Sequence, residues 1–209
     1  DLLIGGPALS IEGNVTGGIV VAIPPKDTKP EDKDEDKDGI DDDKEGSGAI
    51  RSFGSAPALR IGSATQDINV GPVAGTGTGL GLIVEGSITG NGVYAGKDAA
   101  AIQFGGMGRN VTIAGGVGVS GSVSATSNGA SATAIRVGAG TSTPEIRVAG
   151  KIDAAGGSTA TAITTGILVE AGGTLPLIRN SGAITAKVGG DNGTARAIVD
   201  LSGSVSTVE

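Results

Sequence analysis

Apolar and polar positions alternate in short bursts along this chain, and the bursts recur at a nearly fixed interval. Between Ala134 and Ala154, branched apolar residues fall at Ile135, Ile146 and Ile152, separated by eleven and then six positions. The same internal spacing fits Ile102, Ile113 and Val119, and again Ile167, Ile178 and Ile184. The first anchor advances by 31 to 33 residues from copy to copy, a period that points to a solenoid.

Within a copy, Ile135-Arg136-Val137 and Ile146-Arg147-Val148 read apolar, charged, apolar, the alternation of a half-buried strand. A glycine stands four residues after the second anchor at Gly86, Gly150 and Gly182, and Gly13 is placed with them. Such a residue marks a bend that a Cβ would obstruct. Each copy therefore predicts one coil of three short strands. Stacking such coils about 4.8 Å apart pairs every strand with its equivalents above and below. The fold class expected is all-β, a single-stranded parallel β-helix, right-handed on general twist grounds.

Two inward ladders follow: Ile102, Ile135, Ile167 and Ile198 in one, Ile88, Val119, Ile152 and Ile184 in the other. Partial copies flank the complete ones. Leu9–Val15 and Leu82–Ile88 are both read as the six-residue half, Ala58-Leu59 opens like Ala134-Ile135, and Ala197-Ile198 opens a last copy. Asp200 stands where other copies carry Ile61, Phe104, Val137 and Val169, and marks a local bulge in this reading. Neither end shows a polar cap, so both are expected to leave strand edges that pair or fray.

Composition narrows the chemistry. With 40 glycines, two phenylalanines, one tyrosine and no tryptophan in 209 residues, the core must be built from Ile, Val, Leu and Ala. The absence of cysteine and histidine excludes disulfides, thiolate metal sites, histidine zinc sites, and Cys-His or Ser-His-Asp catalysis. No apolar run approaches the roughly 20 residues that span a bilayer as a helix.

Charge is concentrated in one place. Residues 26–45 hold eleven acids and five lysines, a net of −6 out of the total of −7, so the remainder is nearly neutral. It offers no basic face for nucleic acid. The division expected is a first partial coil over 1–25, an acidic insertion over 26–48, and solenoid coils over 49–209 with the last one truncated. A second insertion, 71–81, lies between Leu59 and Leu82.

Inside the acidic insertion, residues 34–45 match the twelve-residue calcium loop D-x-D-x-D-G-x5-E. The spacing would place oxygens of Asp34, Asp36, Asp38, the Ile40 carbonyl and Glu45 around one hard cation, with Asp42 joining directly or through water and Gly39 making the sharp turn. Pro24, Pro25 and Pro30 before it, and Gly46-Ser47-Gly48 after it, argue against flanking helices. The competing account is a solvated acidic linker.

Other motifs carry less. Gly116-Val117-Gly118-Val119-Ser120-Gly121 matches the dinucleotide pattern, yet no βαβ unit surrounds it. Glu12 and Glu85, read as equivalent positions of neighbouring coils, are candidates for a stacked carboxylate pair. Asn14, Asn110 and Asn192 open sequons by pattern and are read as turn and strand residues.

Ala195-Arg196-Ala197-Ile198, and Leu177 to Ala186 (LIRNSGAITA), resemble the β-helical passenger regions of Gram-negative autotransporters and related adhesins. The resemblance implies export to the bacterial cell surface and no shared catalytic residue. The function expected is a non-enzymatic, extracellular structural or adhesive segment stabilised by Ca²⁺. Its partners would be further solenoid coils of the same or neighbouring chains and a host or cell-surface ligand. The alternatives are a subunit of a calcium-assembled surface layer or filament and, behind it, a glycan-degrading β-helix.

Overall fold

The structure, a computed structural model, describes residues 5–209. Its strands stack into four parallel sheets that the chain visits in a fixed order. Sheet 1 holds Leu9–Ile11, Leu59–Ile61, Ala99–Phe104, Ala132–Val137, Ile163–Val169 and Thr194–Asp200. Sheet 2 is short, with Ile68–Val70, Val111–Ile113 and Thr141–Ser142. Sheet 3 holds Ile19–Val21, Leu82–Val84, Val117–Val119, Glu145–Val148, Leu177–Asn180 and Thr207–Val208. Sheet 4 holds Ala49–Phe53, Ser87–Gly92, Ser122–Ser127, Lys151–Gly156 and Ala183–Val188. The expected β-solenoid is present, with a short fourth strand in some coils beyond the three predicted.

The registers show which anchors stack. Leu59, Ile102, Ile135, Ile167 and Ile198 form one column in sheet 1, as the alternation predicts. In sheet 4 the column is Ile50, Ile88, Val123, Ile152 and Ile184. Val119 belongs instead to sheet 3, opposite Val84 and Val148. Ile113 belongs to sheet 2, opposite Val70, and it is Val117 that stacks on Ile146. The coil that starts at Ile102 carries extra residues, Gly105 to Gly108 among them, before its short strand. The true spacing there is fifteen and six, which mimics eleven and six when Ile113 is taken for Val117. Leu9 likewise pairs with Leu59 in sheet 1, so Leu9–Val15 is not the six-residue half.

The interior is largely apolar and made of small layers. Leu59, Ile102, Ile135, Ile146, Ile152 and Ile167 are all fully buried. Each such side chain contributes roughly 1.5–3 kcal/mol by leaving water, so the stack is held by many similar increments.

In the coils after the first, the corner from sheet 3 to sheet 4 is only two residues long. It consists of Glu85-Gly86, Ser120-Gly121, Ala149-Gly150 and Ser181-Gly182 in successive coils. The glycines stack. A Cβ on Gly86, Gly150 or Gly182 would lie 2.1 Å from the carbonyl oxygen of Gly48, Gly121 or Gly150 respectively, closer than real Cβ atoms come. Close approach, not a left-handed φ, is what requires glycine there. Gly13 lies outside this ladder, and Gly48 and Gly121 belong to it.

The C-terminal coil closes differently from the expectation. Asp200 pairs in register with Val169, without a bulge. Its carboxylate accepts the Ser202 hydroxyl at 2.6 Å and the N–H groups of Ser202, Gly203 and Val205 at 2.9, 3.1 and 3.0 Å. The apolar column Ile61, Phe104, Val137, Val169 therefore ends in a carboxylate that ties down the turn above it. In sheet 3, Asn180 follows Val148 in the same way. These two columns end polar, whereas the columns beside them end apolar at Ile198 and Val208, so the last coil is capped only in part.

Candidate functional site

The acidic insertion is spliced into the first of the glycine corners. Ile19–Val21 pairs with Leu82–Val84, and Ala49–Phe53 with Ser87–Gly92, in the same registers as every other coil. Between them, residues 22–48 replace the usual two-residue corner. The excursion leaves from Ala22 and returns at Gly48, whose N–H donates to the Ala22 carbonyl at 2.7 Å. The boundaries thus fall at 22 and 48, where composition alone placed the start at 26.

Within the excursion the backbone turns as the motif demands. Lys37 adopts φ +60° and Gly39 φ +92°, folding the chain back on itself. The Asp34 carboxylate accepts the Gly39 N–H at 3.2 Å, Asp36 accepts from Asp38 at 3.2 Å, and Asp38 accepts from Ile40 at 2.8 Å. These bonds aim the carboxylates at one another: an oxygen from each of Asp34, Asp36 and Asp38 lies within 4.8 Å of the other two. A single turn of 3-10 helix, Asp42–Lys44, follows, and no longer helix flanks the loop.

Asp42 and Glu45 lie outside that tight group but feel it. Desolvation, then the charges of Asp27, Asp36 and Glu35, push the Asp42 carboxyl above its usual range, against the opposing hydrogen bond from the Glu35 N–H. Glu45 is raised by desolvation first and then by Asp36, Asp38, Asp42 and Asp34. The Asp34 Oδ1 and Asp42 Oδ2 atoms are buried without a hydrogen-bond partner. Buried carboxylate oxygens normally find a donor or a cation. Of the six predicted ligands, the structure brings Asp34, Asp36 and Asp38 together, and Asp42 and Glu45 are near enough to feel their charge.

One contributor escaped the motif. Glu35, at a position the motif leaves open, accepts the Thr28 N–H at 2.8 Å and the Lys29 N–H at 3.1 Å as well as the Thr28 hydroxyl. The Thr28 hydroxyl is the main cause of its lowered carboxyl pKa. Glu35 thus clasps the entry of the loop, and Asp42 N–H closes it by donating to the Lys33 carbonyl at 2.7 Å.

The second insertion covers a different surface. Val73 and Leu80 fold over the outer side of sheet 3 onto Ile83, and a Cβ on Gly118 would meet Leu80 Cδ1 at 2.7 Å. Beside this lies an open cleft of about 320 Å³ lined by Thr76, Leu80, Ile83, Glu85, Gly118 and Arg147, among others. Glu12 and Glu85 do not stack: Glu12 follows sheet 1 and pairs with Arg60 at 2.9 Å, whereas Glu85 stands at the sheet 3 corner. Gly116–Gly121 is occupied by the sheet 3 strand and its corner, which leaves no phosphate cradle.

No helix among the described residues is long and apolar enough to cross a membrane. No family model, curated protein or solved structure matches the chain.

Proposed function

We propose that this chain is a non-enzymatic structural element of an extracellular bacterial surface protein, a stiff solenoid that projects and presents inserted loops, one of them closed by Ca²⁺. The observation that carries this reading is the unbroken register on both sides of residues 22–48. A scaffold that accepts such an excursion in place of a two-residue corner, without shifting one strand pair, separates the task of spanning from that of presenting. Backbone pairing and apolar columns supply the span, and neither depends on the loops.

The cation assignment is supported by the Asp34, Asp36 and Asp38 oxygens and by the unpartnered Asp34 Oδ1 and Asp42 Oδ2. Oxygen-only donors, in a loop turned at Gly39, suit a hard cation of flexible coordination. Without paired helices, the affinity expected is that of extracellular modules, about 10⁻⁴–10⁻³ M.

A second reading, a subunit of a surface layer or filament, is favoured by one observation: Asp36 and Asp38 of the acidic cluster are exposed, so a cation held there is open to a neighbouring copy. Immunogold electron microscopy of the producing cells tests the proposal. Label on isolated projections supports the stalk, label on a lattice or fibre supports the second reading, and label confined to the cell interior contradicts both.

A further inference from the structure

Arg60, Gln103 and Arg136 share one column on the outer face of sheet 1, and the two arginines are treated differently. Arg60 donates to the Ser10 hydroxyl at 3.0 Å and to Glu12 at 2.9 Å. Arg136 makes no hydrogen bond among the described residues, and its Nε is buried without a partner. A carboxylate oxygen of Glu170 stands 3.6 Å from that Nε, too far for a hydrogen bond. A buried donor with no acceptor costs free energy, and a ligand that supplies the acceptor recovers it.

Arg136 lines an open cleft of about 170 Å³ that three successive coils build together. Pro57 comes from the first, Asp98 and Gln103 from the second, and Ser131, Thr133 and Arg136 from the third. Glu170 does not line it. A second unmet donor does: Thr133 is only 7% exposed, and its hydroxyl has no hydrogen-bond partner among the described residues. The neighbouring coil carries Ala100 in register with it, a side chain with no polar atom to offer. The other groups are half used. Ser131 Oγ accepts the Ile163 N–H at 3.1 Å and keeps its own proton to donate. Gln103 donates to the Gly105 carbonyl at 3.2 Å, which leaves its amide oxygen as an acceptor. Asp98 accepts the Ser131 N–H through Oδ1 at 3.0 Å, which leaves Oδ2.

We infer that this cleft binds one ring of a sugar acid, with the carboxylate on Arg136 and Thr133 and the ring hydroxyls on Asp98, Gln103 and Ser131. A guanidinium pairs best with a carboxylate, which it grips through two parallel N–H groups. Asp98 in the same cleft disfavours a ligand that is only anionic, whereas a neutral sugar leaves Arg136 without a counter-charge. An amino acid matches both charges but brings fewer hydroxyls for Ser131, Thr133 and Gln103. The volume is below the roughly 300 Å³ at which drug-sized pockets begin, so the cleft takes a single ring. The site belongs to the scaffold itself and is independent of the acidic loop.

The test is an amide NMR titration of the whole isotope-labelled chain at fixed ionic strength, with chelator present so that the acidic loop plays no part. The probes are glucuronate, glucose, acetate and alanine. Glucuronate should give saturable shifts at Gln103, Ser131, Thr133 and Arg136 with a Kd of about 1 mM, the affinity open to so small a ligand. The other three should bind at least about tenfold more weakly. Arg136→Gln and the isosteric Thr133→Val should each weaken glucuronate while the Ile152 and Ile167 amides keep their positions, which reports an intact fold. Acetate matching glucuronate would reduce the site to an adventitious ion only, and glucose matching it would remove the role of Arg136. Alanine matching it would make an amino acid the ligand. Each of these results overturns the inference, as does the absence of saturable shifts or undiminished binding in both variants.

Discussion

Gly150 stands against Gly121 so closely that a methyl group on Gly150 would fall 2.1 Å from the Gly121 carbonyl oxygen. The contact repeats at Gly86 and Gly182 and fixes the pitch at the sheet 3 to sheet 4 corner. Gly150→Ala should therefore cost about 1–3 kcal/mol, the range for inserting a methyl into a packed site. Gly189→Ala is the control, since its nearest neighbour, the Gly156 carbonyl oxygen, is 3.8 Å away. Denaturant melts in which both variants match the parent would remove the glycine ladder from the account.

Ile135 and Arg136 occupy adjacent positions on opposite faces of sheet 1. Ile135 is fully buried in the column between Ile102 and Ile167, whereas Arg136 lies outside, its Nε 3.6 Å from a Glu170 carboxylate oxygen. Ile135→Ala should cost about 2–5 kcal/mol by leaving a cavity between two layers. Arg136→Ala should cost at most about 1 kcal/mol, the value of an exposed ion pair. Equal losses in chemical denaturation would refute the assignment of faces.

Asp200 gives the C-terminal turn a pH dependence. Chiefly the Ser202 hydroxyl, then the N–H groups of Val205, Ser202 and Gly203, hold its carboxyl below the ordinary value of 3.8, with desolvation opposing. A folded-state pKa depressed in this way stabilises above the unfolded pKa, and the contribution is lost as pH falls through the folded value. Exchange of the Ser202, Gly203 and Val205 amides, corrected for intrinsic rates, should therefore accelerate as the solution is taken well below pH 3.8. Asp200→Asn should show the acidic behaviour already at pH 7. Protection that ignores both changes would count against the cap.

Joining Ala22 directly to Gly48 would recreate the corner sequence found at Ala149-Gly150. The deletion removes the acidic excursion and leaves each strand pair beside it in register. Its melting temperature should match the parent within a few degrees, because a surface loop of this kind carries no core contact. Collapse of the fold on deletion would show that the insertion supports the first coil.

Much of this architecture is legible in the chain, and the failures have physical causes. The column through Ile102, Ile135, Ile167 and Ile198 is visible because inward residues of sheet 1 are branched and their outward neighbours differ. The assignment of Ile113 and Val119 failed because sheets 2 and 3 both use branched residues, set four positions apart at Ile113 and Val117, and spacing alone does not separate them. The corner glycine does: Gly121 stands four residues after Val117 but eight after Ile113. Glu12 and Glu85 look equivalent because each precedes a glycine, although Ile11 and Val84 belong to different sheets. At the acidic loop the ligand spacing is written in the motif. The Glu35 clasp on Thr28 is not, since it depends on how the proline-rich entry folds back.

The central claim, a self-sufficient scaffold presenting a cation-closed loop, is tested most directly by amide hydrogen exchange of the whole chain with millimolar Ca²⁺ and with chelator. Calcium should slow exchange at Gly39, Ile40 and their neighbours in residues 34–45 and leave the amides of Ile135, Ile152 and Ile167 unchanged. Asp34→Ala/Asp38→Ala should abolish the difference. Identical exchange in calcium and chelator, or a chelator effect spread through the solenoid, would contradict the account.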